Sequence, residues 1–325
     1  MREDHGIVVD ARSAHSSRKS GWERYAAAVV EACLGTGRKV ELYTAGLGAL
    51  QRICSDTFEL PSRVARNNAL AHFPTFPPGI SFPLERALVT IHDLTWFRFP
   101  EMSSVLGRNY YRLLAGKALS KSRAILTVSK AVACELEKIT NRPIRVVPNV
   151  VSIDQVEAVE VEGLKKPYIL AVGSIEPRKN LYRLVEAYRQ SGMSKLLDLV
   201  LVGRQAWGTV PNGVCFTGPI SDGELRSYYQ NAVALFAPSI YEGFGLPVAE
   251  AVALGVPVYC SDIPSFREAA QGRELGKFSA MSIDEIADSI RACTTIDGKD
   301  RPTPTNQFSL DKTTSALSLV YEEFC

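Results

Sequence analysis

The chain has 325 residues, of which 46% are hydrophobic and 22% charged, with a formal net charge of +2. This composition excludes a wholly disordered or collagen-like chain, and the length predicts about two domains. Seven cysteines stand singly without a CxxC pair, which argues against a disulfide framework and against a zinc ribbon. No apolar run approaches the ~20 residues that cross a bilayer. The N-terminal segment lacks an apolar stretch of signal-peptide length, so a cytoplasmic protein is expected. The charge is unevenly spread: residues 1–155 carry +7 and residues 156–325 carry −5, so the two halves are expected to face different things.

In chain order, GIVVDA (6–11) predicts a strand, 21–34 a helix with Tyr25, Val29, Val30 and Cys33 on one face, and KVELYT (39–44) a second strand. Residues 73–83 are proline-rich and predict an extended loop. LVTIH (88–92), AILTV (124–128) and IRVVP (144–148) read as further strands. Helices are expected over 103–119 and 129–139, with Ser129 as N-cap of the latter. Short β-branched runs alternating with helices point to parallel strands buried on both faces. The acidic, aperiodic stretch 149–167 is read as an interdomain linker.

Beyond it the same rhythm resumes. Strands are expected at 168–173, 197–203, 214–217, 233–237 and 256–260, and helices at 181–191, 221–231 and 247–254. Two β/α halves predict two Rossmann-like, doubly wound α/β domains, 1–155 and 156–325, with a cleft between them. Ligands of open α/β sheets bind beyond the carboxyl ends of the strands, so the loops there are where chemistry is sought.

Two such loops stand out. VGSIEPRKNL (172–181) ends a strand and delivers Arg178 and Lys179 just before a helix. A helix N-terminus already offers unpaired N–H groups and partial positive charge, so added cations there suit a diphosphate. PSIYEGFGLPVAEAVALGVPVYCSD (238–262) places Glu242 on a loop and Glu250 in the first turns of the following helix. Carboxylates accept hydrogen bonds from sugar hydroxyls. The backbone N–H groups of Phe244, Gly245 and Leu246 add donors, and glycine permits close approach of a ligand.

The string E-G-F-G-L-P-x-x-E-A, followed by G-V-P-V and S-D, resembles the signature of retaining GT-B glycosyltransferases of family 4. VGSIEPRKNL resembles their phosphate loop. LVGRQAWG (201–208), TGPISDGELRSYYQNA (217–232), TIHDLTWFRFPE (90–101) and FSLDKTTSALSLVYEEF (308–324) also read like members. It looks most like bacterial enzymes of O-antigen or exopolysaccharide synthesis, many of which use GDP-mannose or a related donor. The resemblance implies a GT-B fold and transfer of a hexose, mannose-like favoured, from a nucleoside-diphosphate sugar to a hydroxyl of a glycan, lipid-linked or small-molecule acceptor. It also implies that the C-terminal helix, at about 310–324, is a candidate to cross back to the first domain.

Roles follow residue by residue from the resemblance. Lys179 would neutralise the donor diphosphate, with Arg178 beside it. Glu242 would contact hydroxyls of the donor sugar, helped by the backbone of Phe244, Gly245 and Leu246, and Glu250 would hold the ribose. His92 would contact the donor sugar near the reaction centre, making His92 and Glu242 the catalytic candidates. Gly21 would lie in a loop approaching the phosphates. The chain departs from the family at Ser174, where many members carry arginine, and at Pro148-Asn149-Val150, where P-N-G is common.

No Asp-x-Asp motif is present, so no metal or other cofactor is expected; the nucleotide sugar is a co-substrate, GDP-linked rather than UDP-linked. No Walker loop, HExxH, GxSxG or dinucleotide fingerprint occurs. Basic residues are not interleaved with aromatics, so nucleic acid is not an expected partner. Arg108, Arg112, Lys117, Lys121 and Arg123 crowd one predicted helix and its end, which suggests peripheral contact with an anionic membrane at the inner face. The rival readings are a GT-B phosphorylase or epimerase, and a non-catalytic nucleotide-sugar-binding protein.

Overall fold

The structure is a computed structural model that describes residues 6–14, 21–45, 51, 54–79, 81–102, 105–161, 166–294 and 301–325; the side chains of 102 and 105–108, Arg108 among them, lie outside that description. The chain divides into two compact units, residues 1–150 with 308–325, and residues 151–307.

In the first unit the strands are β1 (Ile7–Asp10), β2 (Val40–Tyr43), β3 (Leu70–Phe73), β4 (Ala87–Ile91), β5 (Ala124–Thr127) and β6 (Ile144–Val146). They form one parallel six-stranded sheet in the order β2-β1-β3-β4-β5-β6. Helices α1 (Gly21–Gly35), α2 (Leu60–Arg66), α3 (Thr95–Arg98), α4 (Val105–Lys121) and α5 (Lys130–Leu136) connect them. The strands are short, nearly every residue of β1, β3, β4 and β5 is buried, and helices cover the sheet, as expected of a parallel sheet. Ser129 does cap α5, its side chain accepting from the Val132 N–H.

In the second unit the order is β12-β11-β10-β7-β8-β9, again parallel throughout. The strands are β7 (Tyr168–Val172), β8 (Asp198–Val202), β9 (Cys215–Gly218), β10 (Ala234–Ala237), β11 (Val258–Ser261) and β12 (Gly276–Phe278). The helices are α6 (Leu181–Ser191), α7 (Asp222–Asn231), α8 (Leu246–Ala253), α9 (Pro264–Ala270) and α10 (Ile283–Cys293). Ser221 and Glu224 form a reciprocal capping box at the start of α7. Helix α10 packs on α6, closing a core that includes Leu184, Leu199, Phe236 and Ile290.

The last helix, α11 (Leu310–Phe324), packs against α1 within the first unit. Its Tyr321 hydroxyl sits between His72 Nδ1 at 2.7 Å and Cys33 Sγ at 2.8 Å, all three fully buried.

The division between units falls at Val150/Val151 rather than at 155/156. The start of the expected linker is in fact packed. Val151 and Ile153 are buried, Arg226 of α7 donates to the Asp154 and Val156 carbonyls, and Asn306 donates to the Val151 carbonyl. Residues 162–165 of that stretch lie outside the described residues.

Candidate functional site

The second sheet begins at β7, runs outward through β8 and β9, and then continues on the other side of β7 with β10. The reversal opens a crevice between the loops that leave β7 and β10, the place where doubly wound sheets bind ligands. Both sequence-predicted loops emerge there.

The loop after β7 turns at Gly173, whose φ is +146°. It then forms a short helical turn over Pro177–Lys179 and reaches Asn180, at φ +58°, before α6. Contacts to main chain fasten it to the loop after β10: the Ile240 N–H donates to the Arg178 carbonyl at 2.8 Å, Asn180 Nδ2 donates to the Pro238 carbonyl at 3.0 Å, and Arg178 Nη1 donates to the Tyr241 carbonyl at 3.4 Å. This stitching brings together side chains more than sixty positions apart. Lys179 Nζ lies 2.5 Å from Glu242 Oε1 and Arg178 Nη1 lies 2.8 Å from Glu242 Oε2. Ser239 Oγ donates to Glu242 Oε1 at 2.8 Å, and Arg178 Nε donates to Glu176 Oε2 at 2.9 Å. Lys179, Ser239, Glu242, Pro247, Phe266 and Val172 line the crevice.

Glu242 is buried, which by itself would raise its carboxyl; the Lys179 and Arg178 charges and the hydrogen bonds from Lys179 and Ser239 outweigh that and hold it at about 2. It is therefore ionised at neutral pH. Both its oxygens already accept from protein cations, so it fixes the two cations in place. A carboxylate has about four acceptor positions, which leaves capacity for a hydroxyl as well.

Gly245, at φ +101°, turns the chain into α8, and a Cβ there would run into the Phe266 ring. Leu246 opens the helix, one residue earlier than expected, with Pro247 in the first turn. Phe244 is buried and Gly245 is the N-cap residue, so the three backbone positions picked out in the sequence all sit at this helix start. Glu250 lies one turn further on and is buried, accepting at Oε2 from the Tyr229 hydroxyl of α7 at 2.8 Å.

His92 and Gly21 lie in the first unit. His92 directly follows β4. Its ring meets Tyr25 edge-on at 4.7 Å and Trp22 face-on at 5.9 Å, both from the first turns of α1, which Gly21 begins. His92 Nε2 is 2.8 Å from the Pro74 carbonyl. Burial lowers the imidazole below its usual range, against the opposing pull of the Pro74 carbonyl and Asp93. A neutral ring beside a carbonyl must carry its proton on Nε2, which leaves Nδ1 as an acceptor.

Four contributors were not singled out from the sequence. Ser239 could have been noticed as a hydroxyl three residues before Glu242. Glu176 lies within the phosphate-loop phrase itself. Gly203 (φ +145°) follows β8 as Gly173 follows β7, and a Cβ on it would overlap the Gly173 carbonyl. The repeated Val-Gly at the ends of adjacent strands was the available signal. Nothing in the spacing pointed to Tyr229. Among the described residues no group of His, Cys, Asp and Glu could hold a metal ion.

Two α/β units with parallel six-stranded sheets and a site at the second switch point define the GT-B class. Solved structures agree on the fold. Sucrose-phosphate synthase from Thermosynechococcus elongatus is similar with a TM-score of 0.76 at 17% identity over 98% of each chain. Anabaena HepE, solved in complex with UDP-glucose, is similar with a TM-score of 0.69 at 14% identity, covering 98% of this chain and 99% of that one. Residues 152–301, nearly the whole second unit, match the family model "Glycosyl transferases group 1". In sequence the chain is similar to O-antigen chain mannosyltransferase B of Escherichia coli, 32% identical over 61% of this chain and 58% of that protein. It is also similar to O-antigen chain mannosyltransferase RfbU of Salmonella typhimurium, 32% identical over 57% of this chain and 54% of that one. The alignments thus span little more than half of either relative.

Proposed function

We propose that this chain is a metal-independent, retaining glycosyltransferase of family 4. It would move a hexose, mannose favoured, from a nucleoside-diphosphate sugar, GDP favoured over UDP, to a hydroxyl of a glycan, lipid-linked or small-molecule acceptor. The observation that carries this reading is the convergence of Lys179 and Arg178 on Glu242 at the switch point of a Glycosyl transferases group 1 domain. The mannosyltransferase relatives support the choice of sugar.

In this reading Lys179 and Arg178 take the diphosphate, Glu250 the ribose, and the Phe244, Gly245 and Leu246 backbone with Glu242 the hexose hydroxyls. The bond between the sugar C1 and the diphosphate oxygen breaks, and its electron pair leaves with the nucleoside diphosphate. The acceptor hydroxyl attacks from the same face and its proton passes to the departing phosphate oxygen. Negative charge grows on the leaving group in the transition state, so fixed cations lower the barrier. No carboxylate is required as base, in keeping with a Glu242 that is ionised and committed to Lys179 and Arg178. His92, neutral and with Nδ1 as acceptor, is suited to receive a hydrogen bond from a sugar hydroxyl.

A thermal-shift panel of GDP-, UDP-, ADP- and dTDP-sugars tests the reading. A donor at 100 times its dissociation constant stabilises by about 2.7 kcal/mol; no stabilisation by any of them contradicts it.

The basic first half supports peripheral contact with an anionic membrane. Arg112 and Lys121 of α4, and Arg123 after it, are exposed, as are Tyr110 and Leu113 on the same helix. No described helix is long and apolar enough to cross a membrane. Co-sedimentation with anionic but not neutral vesicles, lost at high salt, is the expected result; no binding at low salt contradicts this contact.

A further inference from the structure

Glu176 enters neither the sequence reading nor the mechanism above, yet it holds one edge of the candidate phosphate site. Arg178 uses Nη1 for Glu242 and Nε for Glu176, at 2.8 and 2.9 Å. Lys179 is engaged by Glu242 as well. Two cations therefore face two carboxylates, and the four side chains together carry no net charge. A diphosphate entering this cluster gains little long-range attraction unless one carboxylate gives way.

The two carboxylates are not equally able to do so. Glu242 is anchored by Lys179, Arg178 and Ser239, and its loop is tied to the Arg178 carbonyl through the Ile240 N–H. For Glu176 the contact is with Arg178 Nε, from the extended residue that precedes the turn, and its side chain is more exposed than that of Glu242 (18% against 8%). The Nε edge is one of the two edges through which a guanidinium can make a two-pronged contact with a phosphate.

We propose that Glu176 is an internal counter-anion of the donor site. It pairs with the Arg178 Nε edge, is displaced by the donor diphosphate, and returns as the nucleoside diphosphate leaves, setting how tightly the diphosphate is held. This rests on the donor-site reading above. A carboxylate that merely braced Arg178 for phosphate would have the opposite effect when removed, so the sign of the change decides.

The test is calorimetric titration of the whole chain with GDP, UDP and inorganic pyrophosphate, using wild type, Glu176→Gln, Glu176→Ala and Lys179→Ala, each first checked by circular dichroism to be folded at the working temperature. The expected result is binding about fivefold tighter in both Glu176 variants and weaker in Lys179→Ala. Unchanged or weaker binding in both Glu176 variants, with Lys179→Ala still weakened, overturns the counter-anion role and leaves the donor site standing. Failure of wild type to bind any of the three, or wild-type affinity in Lys179→Ala, overturns the donor site and this inference with it.

Discussion

Gly203 packs against Gly173 so closely that a Cβ on the former would overlap the carbonyl of the latter. The two residues directly follow the adjacent strands β8 and β7, and the Gly173 N–H donates to the Val202 carbonyl at 2.8 Å. At φ +145° Gly203 also holds a backbone conformation that L side chains rarely adopt. Gly203→Ala is therefore expected to destabilise the second unit by about 2 kcal/mol or more and to disturb the loop that carries Lys179. Urea unfolding followed by Trp207 fluorescence checks it; a wild-type midpoint would mean that the close approach is not needed.

Much of this region was legible in the sequence, because an apolar strand ending in glycine, a cationic turn and a helix follow one another without interruption. The strands β7 and β8 and the helix α6 lie within one or two residues of expectation. The meeting of Lys179 with Glu242 was not legible: it depends on β10 lying beside β7, a strand order that periodicity does not encode. Strand β3, with His72 in its four residues, was missed because a polar residue and a following proline-rich loop hid a short run. Strand β12, Gly276–Phe278, is too short and too polar to register. Helix α10 was recoverable, since Ser282 caps it by accepting from the Glu285 N–H and Ile283, Ile286, Ala287 and Ile290 keep helical spacing.

Tyr321 links the C-terminal helix to β3 and α1 through His72 and Cys33. Tyr321→Phe keeps the ring and leaves both partners buried without it. A loss of about 1–3 kcal/mol in the first unit is expected, measurable by urea unfolding through Trp22 and Trp96. A loss below a few tenths of a kcal/mol would show that the hydroxyl is not an anchor.

Acid should weaken the two units in sequence. Burial holds His72 at about 3 against a usual 6.5, so the folded first unit binds the proton less readily than the unfolded chain. Its contribution is complete above pH 6.5 and declines as pH falls toward 3, by about 1.4 kcal/mol per pH unit. Glu242, at about 2 against a usual 4.5, contributes fully above pH 4.5 and loses that contribution between 4.5 and 2. Between pH 6.5 and 4.5 stability should thus fall at Trp22 and Trp96 before Trp207, and Glu242→Gln should flatten only the part below 4.5. A Glu242→Gln profile parallel to wild type down to pH 2 would contradict the ion-pair assignment.

If Lys179 and Arg178 take the diphosphate as proposed, they would supply the positive charge that a divalent cation supplies elsewhere, and transfer should persist in excess EDTA. The check is donor turnover before and after chelation. Loss of turnover that Mg²⁺ or Mn²⁺ restores would rule out the metal-free mechanism.

Whether Lys179 stabilises a departing nucleoside diphosphate is read from single-turnover transfer from labelled GDP-mannose and UDP-glucose, wild type against Lys179→Ala. With the accepted donor, the variant should lose about 1.5–3 kcal/mol of transition-state stabilisation, a fall of roughly ten- to a hundredfold in kcat/KM, while its thermal midpoint stays within a few degrees of wild type. Wild-type kcat/KM in a folded Lys179→Ala protein would show that Lys179 does not stabilise the leaving group.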